Sequence, residues 1–309
     1  MNDIARLEKE PRQLQRLAAQ RQLYSTAKRI FGAQLLLGGP VAVGWALAVV
    51  ASPELRGYAA AWGAFVSFCD VLWLTPWQKR LREQAAKIQE AFDCDVLQLP
   101  WNDIKAGRPP DPELVKEQAD KYRQAPAGLP PLSNWYAPVV SDLPLEVGRV
   151  ICQRANCWWD SHQRRRYAAW VIASAIVLTL LMAGLGLVGG LTVGKLFLAV
   201  LLPLSPALIL GVRQVAEQTE AANRLDKLRD HAERLWSDSC NGAACARLTS
   251  RSRALQDEIF ENRKRSPLVF DWIFRKLRND YNAQVNHGAA ELAAEAKLRL
   301  GITSSPIRG

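Results

Sequence analysis

The chain alternates between charged stretches and long stretches that carry almost no charge. Residues 30–51 contain no charged side chain, and residues 57–77 contain one, Asp70. Residues 167–212 also contain one, Lys195. Because a helix needs about 20 mainly apolar residues to cross a bilayer, the first two stretches predict one crossing each and the third predicts two. The alternative, buried core helices of a soluble protein, is disfavoured because such helices usually have shorter apolar stretches.

The four predicted crossings form two hairpins with short turns. Residues 52–56 form the first turn, and a glycine-rich segment forms the second, with Gly189, Gly190 and Gly194. Lys and Arg are frequent in residues 1–29 and 78–166, whereas each turn holds a single basic residue. Because basic loops are retained on the cytoplasmic side, both termini are predicted to be cytoplasmic.

Helical periodicity continues from each apolar stretch into the adjoining polar sequence. Residues 11–29 have apolar positions near a 3.6-residue period before the first crossing. The third helix is predicted to begin near Leu145, and the fourth to continue through Leu235. An apolar face also follows the second crossing, formed by Leu81, Ala85, Ile88 and Phe92. Each crossing therefore has a predicted cytoplasmic stalk, through which a cytoplasmic event could move the membrane helices.

The region between the two hairpins is predicted to hold a small mixed insert. Residues 95–99 are expected to form a short strand. Asp111 and Pro112 predict the start of a helix that ends near Arg123, because Asp is a common N-cap and Pro suits the first helical turn.

The C-terminal region is predicted to be helical, with a turn at residues 240–245. A charged helix follows, and Ser266 and Pro267 are expected to open an aromatic helix that packs on the stalks or lies on the membrane surface. Its balanced charges favour packing. The apolar residues of this last helix are Phe270, Trp272, Ile273, Phe274 and Leu277.

The predicted fold is therefore mainly α, with two transmembrane hairpins, helical stalks and the insert. The N-terminal residues mix acids and bases, and no cleavage site of small residues follows, so the first crossing is expected to stay as an anchor. The predicted segments are a cytoplasmic N-terminal helix (1–29), the first hairpin (30–77), stalks and insert (78–166), the second hairpin (167–212) and cytoplasmic C-terminal helices (213–309).

Composition points to binding rather than catalysis. The net charge of +10 favours an anionic partner, either lipid headgroups or a phosphate-bearing ligand. Cys152, Cys157 and His162 recur at a spacing of five, which does not match a zinc motif, and a reducing cytoplasm disfavours disulfides. Because the sequence has no phosphate-cradling loop, nucleophile elbow or His–Glu metal motif, we predict neither an enzyme nor a bound cofactor or metal.

Several short motifs are distributed along the chain, at residues 20–29, 74–77, 86–94, 99–102, 151–160, 255–260 and 271–274. Together they resemble the SMODS-associated four-transmembrane effector family of bacteria, and the resemblance extends over nearly the whole chain. The resemblance implies a role in cyclic-oligonucleotide-based antiphage signalling (CBASS), in which a nucleotidyltransferase makes a cyclic oligonucleotide upon infection. It further implies that the effector binds this messenger, assembles as a homo-oligomer and permeabilises the bacterial inner membrane, which causes abortive infection.

Such a ligand would have to bind in the cytoplasmic region, because the sequence shows no separate sensor domain. Bases stack on aromatic or guanidinium planes, and phosphates bind cations. Trp158 and Trp159 are alternatively core or interfacial side chains, and residues 164–166 are alternatively anchors at the membrane boundary. The candidate ligand-binding residues are Trp101, Asn102, Arg154, Asn156, Trp158, Trp159, Arg164 and Arg165.

Within the membrane stretches, Asp70 is the main candidate for a gate or subunit contact. Ionisable residues inside a crossing are costly and usually face a bundle interior or a water path. The alternative is an Asp70 that is bonded within its own bundle and serves packing. Gly186 and Gly190 are spaced for close helix packing, and Pro203 and Pro206 predict a kink that acts as a hinge.

The leading hypothesis is thus a membrane effector gated by a cyclic oligonucleotide. A constitutive ion channel or transporter, and a membrane scaffold that recruits a soluble partner, are the alternatives. A channel would conduct without ligand. A scaffold would tolerate substitution of Asp70 but not loss of residues 93–145.

Overall fold

The computed structural model describes residues 1–124, 132–188 and 202–302. None of these residues lies in a strand. The helices are α1 (Ile4–Leu7), α2 (Pro11–Gly38), α3 (Pro40–Ala51), α4 (Arg56–Cys69), α5 (Thr75–Val96), α6 (Asp103–Ala106), α7 (Pro112–Arg123), α8 (Leu145–Val188), α9 (Leu202–Cys240), α10 (Cys245–Arg265) and α11 (Asp271–Arg299). Short 3-10 turns lie at Pro53–Leu55 and Pro138–Asp142, and a π-helical turn at Asp70–Leu74 joins α4 to α5.

The long helices pass from polar into apolar sequence without a break at the boundary. Helix α2 continues beyond residue 30, and α5 follows directly from the π-helical turn. Helix α8 has 44 residues, which corresponds to a length of about 66 Å. Helix α9 has 39 residues and ends at Cys240. The predicted helical continuity between the apolar stretches and their stalks is confirmed.

The first apolar stretch is divided into two helices at Gly39. Helix α2 ends at Gly38, and Pro40 opens α3 because proline suits the first turn and cannot donate a helical hydrogen bond. A Cβ atom at position 39 would lie 2.9 Å from the Leu35 carbonyl oxygen, which is too close for any other residue. Glycine and proline together therefore produce this break.

The second apolar stretch contains the π-helical turn that begins at Asp70. The Gln34 side-chain amide donates to Asp70 Oδ1 at 2.6 Å and to Thr75 Oγ1 at 3.0 Å. These three side chains form a polar cluster between α2 and the π-helical turn. Turns of this kind often mark functional positions within a longer helix, and here the turn directs the carboxylate of Asp70 toward α2.

One continuous helical run in the described ranges, Pro53–Val96, is long and apolar enough to cross a membrane. The mean hydropathy of its most apolar window is 1.3, and no part of that window is buried within the chain. The first apolar stretch is broken at Gly39, and the turn of the second hairpin, with Gly189, Gly190, Gly194 and Lys195, lies outside the described residues. Four crossings therefore remain a prediction.

The stalks and terminal helices pack around one main hydrophobic core. Helix α8 packs along α9, α2 packs against α5 and α7, and α10 and α11 complete the bundle. At Gly148 a Cβ atom would lie 2.8 Å from the Val140 carbonyl, so glycine lets the 3-10 turn approach α8. The core includes Leu17, Phe92, Leu97, Val147, Ile151, Leu235, Ile259 and Ala293.

A cluster of buried charges joins α5 to α10. Arg253 Nη2 lies 2.5 Å from Glu90 Oε1, and Arg263 pairs with Asp93. The side chains of Glu90 and Asp93 are 2% and 0% exposed, so each depends on its arginine for charge compensation. The Gln256 amide donates to both carboxylates, at 2.8 and 3.0 Å. The cluster therefore fixes the position of α10 relative to α5.

A buried carboxyl group holds the segment between α7 and α8. Glu8 Oε2 accepts the backbone N–H of Tyr136 at 2.9 Å, whereas Glu8 Oε1 is buried without a hydrogen-bond partner among the described residues. Burial raises the pKa of Glu8 to about 7, although the backbone hydrogen bonds and nearby Lys9 act to lower it. Glu8 also lies near the buried thiol of Cys152.

The predicted strand at residues 95–99 is wrong. Helix α5 extends to Val96, and the chain then turns, with the Leu97 N–H donating to the Asp93 carbonyl at 2.8 Å and Gln98 at a φ of 52°. The residues are apolar because this helix end is buried in the core, not because they pair with a strand. The described part of the predicted mixed insert is helical.

The predicted start of the aromatic helix is also wrong. Ser266 is the extended C-cap of α10, because the residue before a proline is disfavoured in the helical region, and α11 begins only at Asp271. Packing of this helix on the stalks is confirmed, since Ile273 and Leu277 are buried. The helix predicted from Asp111 to Arg123 and the turn at residues 240–245 are confirmed as well.

Removing one member of the buried ion cluster should destabilise the protein strongly. We expect Arg253→Met to lower the free energy of unfolding by about 3–5 kcal/mol, because Glu90 would be left buried without its cation. Thermal unfolding in detergent, followed by tryptophan fluorescence, measures this. Arg247→Met on the same helix is the control because Arg247 is exposed. Equal melting of the two variants would contradict the role of the cluster.

The raised pKa of Glu8 predicts a stability that depends on pH. The folded protein binds this proton more tightly than the unfolded chain, so the contribution is fully present below pH 4.5 and is lost as the pH rises through about 7. We expect Glu8→Gln to flatten the fall in unfolding temperature between pH 5 and pH 8. Glu10→Gln, at a partly exposed position, should keep the slope of the parent protein. The prediction is wrong if Glu8→Gln keeps it too.

Candidate functional site

A cavity of about 330 Å³ lies in the bundle between α2, α5, α8, α10 and α11. Residues 132–137 and Val140 cover one side of it. Lys28 lines the cavity two residues before the first apolar stretch, and Arg164 lines it three residues before the stretch that begins at Tyr167. The cavity therefore lies where the stalks approach the apolar helices.

The lining combines a surplus of positive charge with aromatic and amide side chains. The seven basic residues are Arg21, Lys28, Arg82, Arg164, Arg263, Arg275 and Arg278, against two acidic residues, Asp160 and Asp271. The aromatic residues are Tyr24, Tyr122, Trp135, Tyr136, Trp159 and Phe274. Guanidinium groups bind phosphates, aromatic faces stack on bases, and amides can bind base edges, so this composition suits a nucleotide.

Part of the basic surplus gathers around Tyr24. Arg82 Nη1 donates to the Ser266 carbonyl at 3.1 Å, while its buried Nε has no hydrogen-bond partner in the described ranges. Arg164 Nε lies 3.1 Å from Asp160 Oδ1. Arg82 and Arg164 repel each other, and burial raises the pKa of Tyr24, which interacts with both, to about 12. An anion bound here would relieve this repulsion.

A chain of hydrogen bonds connects another wall to the core. The Asn156 amide donates to the Tyr136 hydroxyl at 3.2 Å, and that hydroxyl donates to Asp93 Oδ1 at 2.6 Å. Asp93 also pairs with Arg263. Burial opposes the charge of Arg263, but pairing with Asp93 outweighs it and raises the pKa of the guanidinium. These lining residues are therefore held in place by the core itself.

The wall nearest the first apolar stretch is formed by α2 and α11. Lys28 Nζ donates to Asp271 Oδ1 at 2.6 Å, and Ser25 Oγ donates to Asp271 Oδ2 at 2.7 Å. Burial would raise the pKa of Asp271, but these two donors lower it. The rings of Phe31 and Phe270 stack at 5.4 Å beside this contact. Asp271 thus neutralises one of the cations that line the cavity.

The aromatic side of the cavity lies between residues 132–137 and α11. The Trp159 ring centroid is 5.1 Å from that of Phe274, and Trp159 Nε1 donates to Asn282 Oδ1 at 3.2 Å. The Arg21 guanidinium carbon lies 5.6 Å from the Trp135 ring centroid and 5.1 Å from that of Phe274. Planar groups can therefore stack on this side.

The structure brings three of the sequence-predicted ligand residues to the cavity: Asn156, Trp159 and Arg164. All three lie on α8 and face inward. Their role in binding remains a prediction, since geometry gives proximity and not occupancy.

The other five candidates lie away from this cavity, where each contacts other protein groups. Arg154 pairs with Glu233, Arg165 pairs with Asp226, Trp158 stacks on His162, Trp101 donates to the Gly107 carbonyl, and Asn102 donates to Asp257. Arg154, Trp158 and Arg165 lie on faces of α8 that point away from the cavity. Trp101 and Asn102 lie in the loop after α5, which packs against α10.

Sequence reasoning missed most of the lining residues. Arg82 and Arg263 carry no local signal, because each is one cation on a charged helix and only tertiary packing brings them together. The lining residues of α2 could have been predicted, because their polar and aromatic side chains recur at helical spacing on one face. The motif at residues 20–29 supplies Gln20, Arg21, Tyr24, Ser25 and Lys28 to the cavity.

The residues predicted for a membrane gate or close packing have different outcomes. Asp70 lies in the polar cluster with Gln34 and Thr75. Gly186 lies near the end of α8, and Gly190 lies outside the described residues. Pro203 and Pro206 lie in the first turns of α9 as described, and the residues before Leu202 are outside the described ranges, so the hinge remains a prediction.

Comparison with known proteins gives the family context of this cavity. A family model described as the SMODS-associating 4TM effector domain matches residues 2–292. A protein of Bacillus cereus (strain VD146), named "Probable CBASS effector molecule", is 26% identical over 205 residues. That match covers 64% of this chain and 66% of the relative, just under two thirds of its length. No solved structure matches the chain. Because the family model covers nearly the whole sequence, including every helix that lines the cavity, the chain belongs to the SMODS-associating 4TM effector family.

Proposed function

We propose that this protein is a CBASS effector that binds a cyclic oligonucleotide in the central cavity and then permeabilises the bacterial inner membrane. The observation that carries the proposal is the cavity itself, which combines seven basic and six aromatic side chains within the helical bundle. The family match and the name of the Bacillus cereus relative support the same role. The messenger would come from the nucleotidyltransferase with which such effectors are associated.

The electrostatics of the cavity favour a ligand with more than one phosphate. Of the seven basic side chains in the lining, three pair with carboxylates: Lys28 with Asp271, Arg164 with Asp160 and Arg263 with Asp93. Arg82 has no carboxylate within salt-bridge distance among the described residues. Burying cations without matching anions is costly, and phosphodiester groups would supply the missing charge. A cyclic oligonucleotide has several phosphodiesters and several bases, which match the basic and aromatic sides of the cavity.

The same cavity does not favour catalysis. Its described lining holds groups that bind anions and planar rings, while the Cys152 thiol is buried and burial raises its pKa well above the usual range. A thiol that keeps its proton at neutral pH is a poor nucleophile. We therefore propose a ligand-gated effector without enzymatic activity.

Helix α2 connects the cavity to the apolar stretches. Lys28, Phe31 and Gln34 are spaced by three residues, so each is a neighbour of the next along the surface of the helix. Lys28 lines the cavity, Phe31 stacks on Phe270, and Gln34 binds Asp70. An anionic ligand that competes with Asp271 for Lys28 would weaken the contact between α2 and α11. Movement of α2 would then change the hydrogen bond between Gln34 and Asp70.

The proposed active state has four crossings, cytoplasmic termini and several copies of the chain in the membrane. The apolar window within Pro53–Val96 faces outward, so lipid or another copy must cover it. To shift a population from 1% to 99% active, the ligand must bind the active state about 10⁴-fold more tightly, or about 5.5 kcal/mol. Several phosphate contacts and stacked bases together can supply such a difference.

Binding is tested by removing Arg82, a lining cation without a carboxylate partner among the described residues. We expect Arg82→Ala to weaken binding of cyclic di-AMP or another active cyclic dinucleotide at least tenfold, because one charge-assisted contact is worth about 1.5–3 kcal/mol. Arg80→Ala, which changes an exposed arginine on the same helix, is the matched control. Calorimetry in detergent measures both. If cyclic di- and trinucleotides of all four bases fail to bind the parent protein, the proposal is wrong.

Gating is tested separately at the polar cluster. We expect Asp70→Ala to reduce nucleotide-induced dye leakage from liposomes at least fivefold while leaving nucleotide affinity within twofold, because Asp70 lies outside the cavity. Gln34→Leu should act in the same direction, and Ser67→Ala, on the preceding turn, should not.

Leakage without any nucleotide would instead support a constitutive channel. A scaffold would be indicated if Asp70→Ala kept function in infected cells while loss of residues 93–145 abolished it.

A further inference from the structure

The guanidinium of Arg21 lies against two aromatic rings, those of Trp135 and Phe274, and we call the space that it occupies there the slot. Its central carbon is 5.6 Å from the Trp135 ring centroid and 5.1 Å from the Phe274 ring centroid. Trp135 belongs to the segment that covers the cavity, and Phe274 belongs to α11. The slot is therefore bounded by two separate elements, with Arg21 of α2 reaching into it from a third.

Charge pairing does not explain why Arg21 occupies this slot. In the described part of the chain Arg21 forms no salt bridge, and Asp271 acts on it only at longer range. Desolvation lowers its pKa, nearby Arg278 lowers it further, and Tyr122 supplies a hydrogen bond that acts in the other direction. The guanidinium is thus held mainly by two π faces and by Tyr122.

The chemistry of the slot suits a nucleobase as well as a guanidinium. Both are planar and delocalised, and both stack on aromatic faces. The Phe274 ring also contacts Trp159, at 5.1 Å between centroids and with 46° between the ring planes, so aromatic contacts continue beyond the guanidinium. Asn282, which accepts from Trp159 Nε1, and Asn286 also line the cavity and could bind a base edge.

Resting on the function proposed above, we propose that the slot beside Trp135 and Phe274 is the base-binding subsite of the cavity, for which Arg21 and a purine base compete. The larger ring system of a purine covers more of the aromatic surface than a pyrimidine does. Arg21 is then a specificity-determining residue, because only a base that stacks better than its guanidinium takes the slot. The displaced cation remains next to the ligand, where it can pair with a phosphate.

Adenosine isolates this subsite, because it has a purine base and no phosphate. For a ligand with phosphates, loss of Arg21 would raise the affinity by removing a competitor of the base and lower it by removing a cation that pairs with a phosphate. These two effects on affinity would oppose each other. With adenosine only the competition remains. We expect Arg21→Ala to bind adenosine at least tenfold more tightly than the parent protein, measured by calorimetry or by quenching of tryptophan fluorescence. Uridine should gain less than adenosine.

Variants of the slot itself complete the test. In the Arg21→Ala background, Trp135→Phe should keep the gain in adenosine affinity and Trp135→Ala should lose it, with thermal unfolding used to confirm that each variant folds. Arg12→Ala, on an exposed part of the same helix, is the control and should bind adenosine as the parent does. Among the described residues, removing Arg21 leaves no carboxylate unpaired but loses the ring contacts and the Tyr122 hydrogen bond, so this variant is expected to fold and to melt moderately below the parent temperature.

Equal or weaker adenosine binding by Arg21→Ala would overturn the inference, as would undetectable binding by both proteins. These outcomes are distinct from failure of the proposed function. If cyclic di-AMP still binds and causes leakage while adenosine shows no competition, the base lies elsewhere in the cavity and the proposed function stands. If no cyclic nucleotide binds, the proposed function fails and this subsite fails with it.

Discussion

The buried pair of Asp93 and Arg263 is the interaction on which the cavity depends. It joins α5 to α10, and the Tyr136 hydroxyl brings the covering segment to the same carboxylate. Because either charge alone would be strongly unfavourable in this setting, the three walls must assemble together. Arg263 is at once a core residue and part of the lining, so the geometry of the cavity is fixed by the same contacts that stabilise the bundle.

Helix positions could be predicted from the sequence because periodicity is local. The errors occurred where tertiary burial changed the meaning of a local pattern, as at residues 95–99, where a buried helix end looks like a strand. The site was harder to predict for the same reason. Asn156 and Trp159 can be predicted because they belong to the motif at residues 151–160, and Arg164 because it follows that motif closely. Arg82 and Arg263 come from separate helices, and only packing makes them neighbours.

The family motifs acquire a physical interpretation from the structure. Residues 20–29 and 151–160 were recognised as short sequence signatures, and together they supply much of one side of the cavity. The motif residues that point away, such as Trp158 and Arg154, bind other protein groups and support α8 from outside. A motif on a long helix therefore contains both ligand-facing and structural positions, which a linear pattern cannot separate.

The break at Gly39 and Pro40 has a consequence for hydration. Proline has no N–H, so the carbonyl of Leu36 lacks the donor that a continuous helix would give it. In hydrocarbon such a carbonyl requires water or a polar neighbour. In the predicted first crossing, this carbonyl would therefore bring water or a polar group into the apolar layer, close in sequence to Gln34, the partner of Asp70. A membrane that is already hydrated at one depth presents a lower barrier to ions than an intact one.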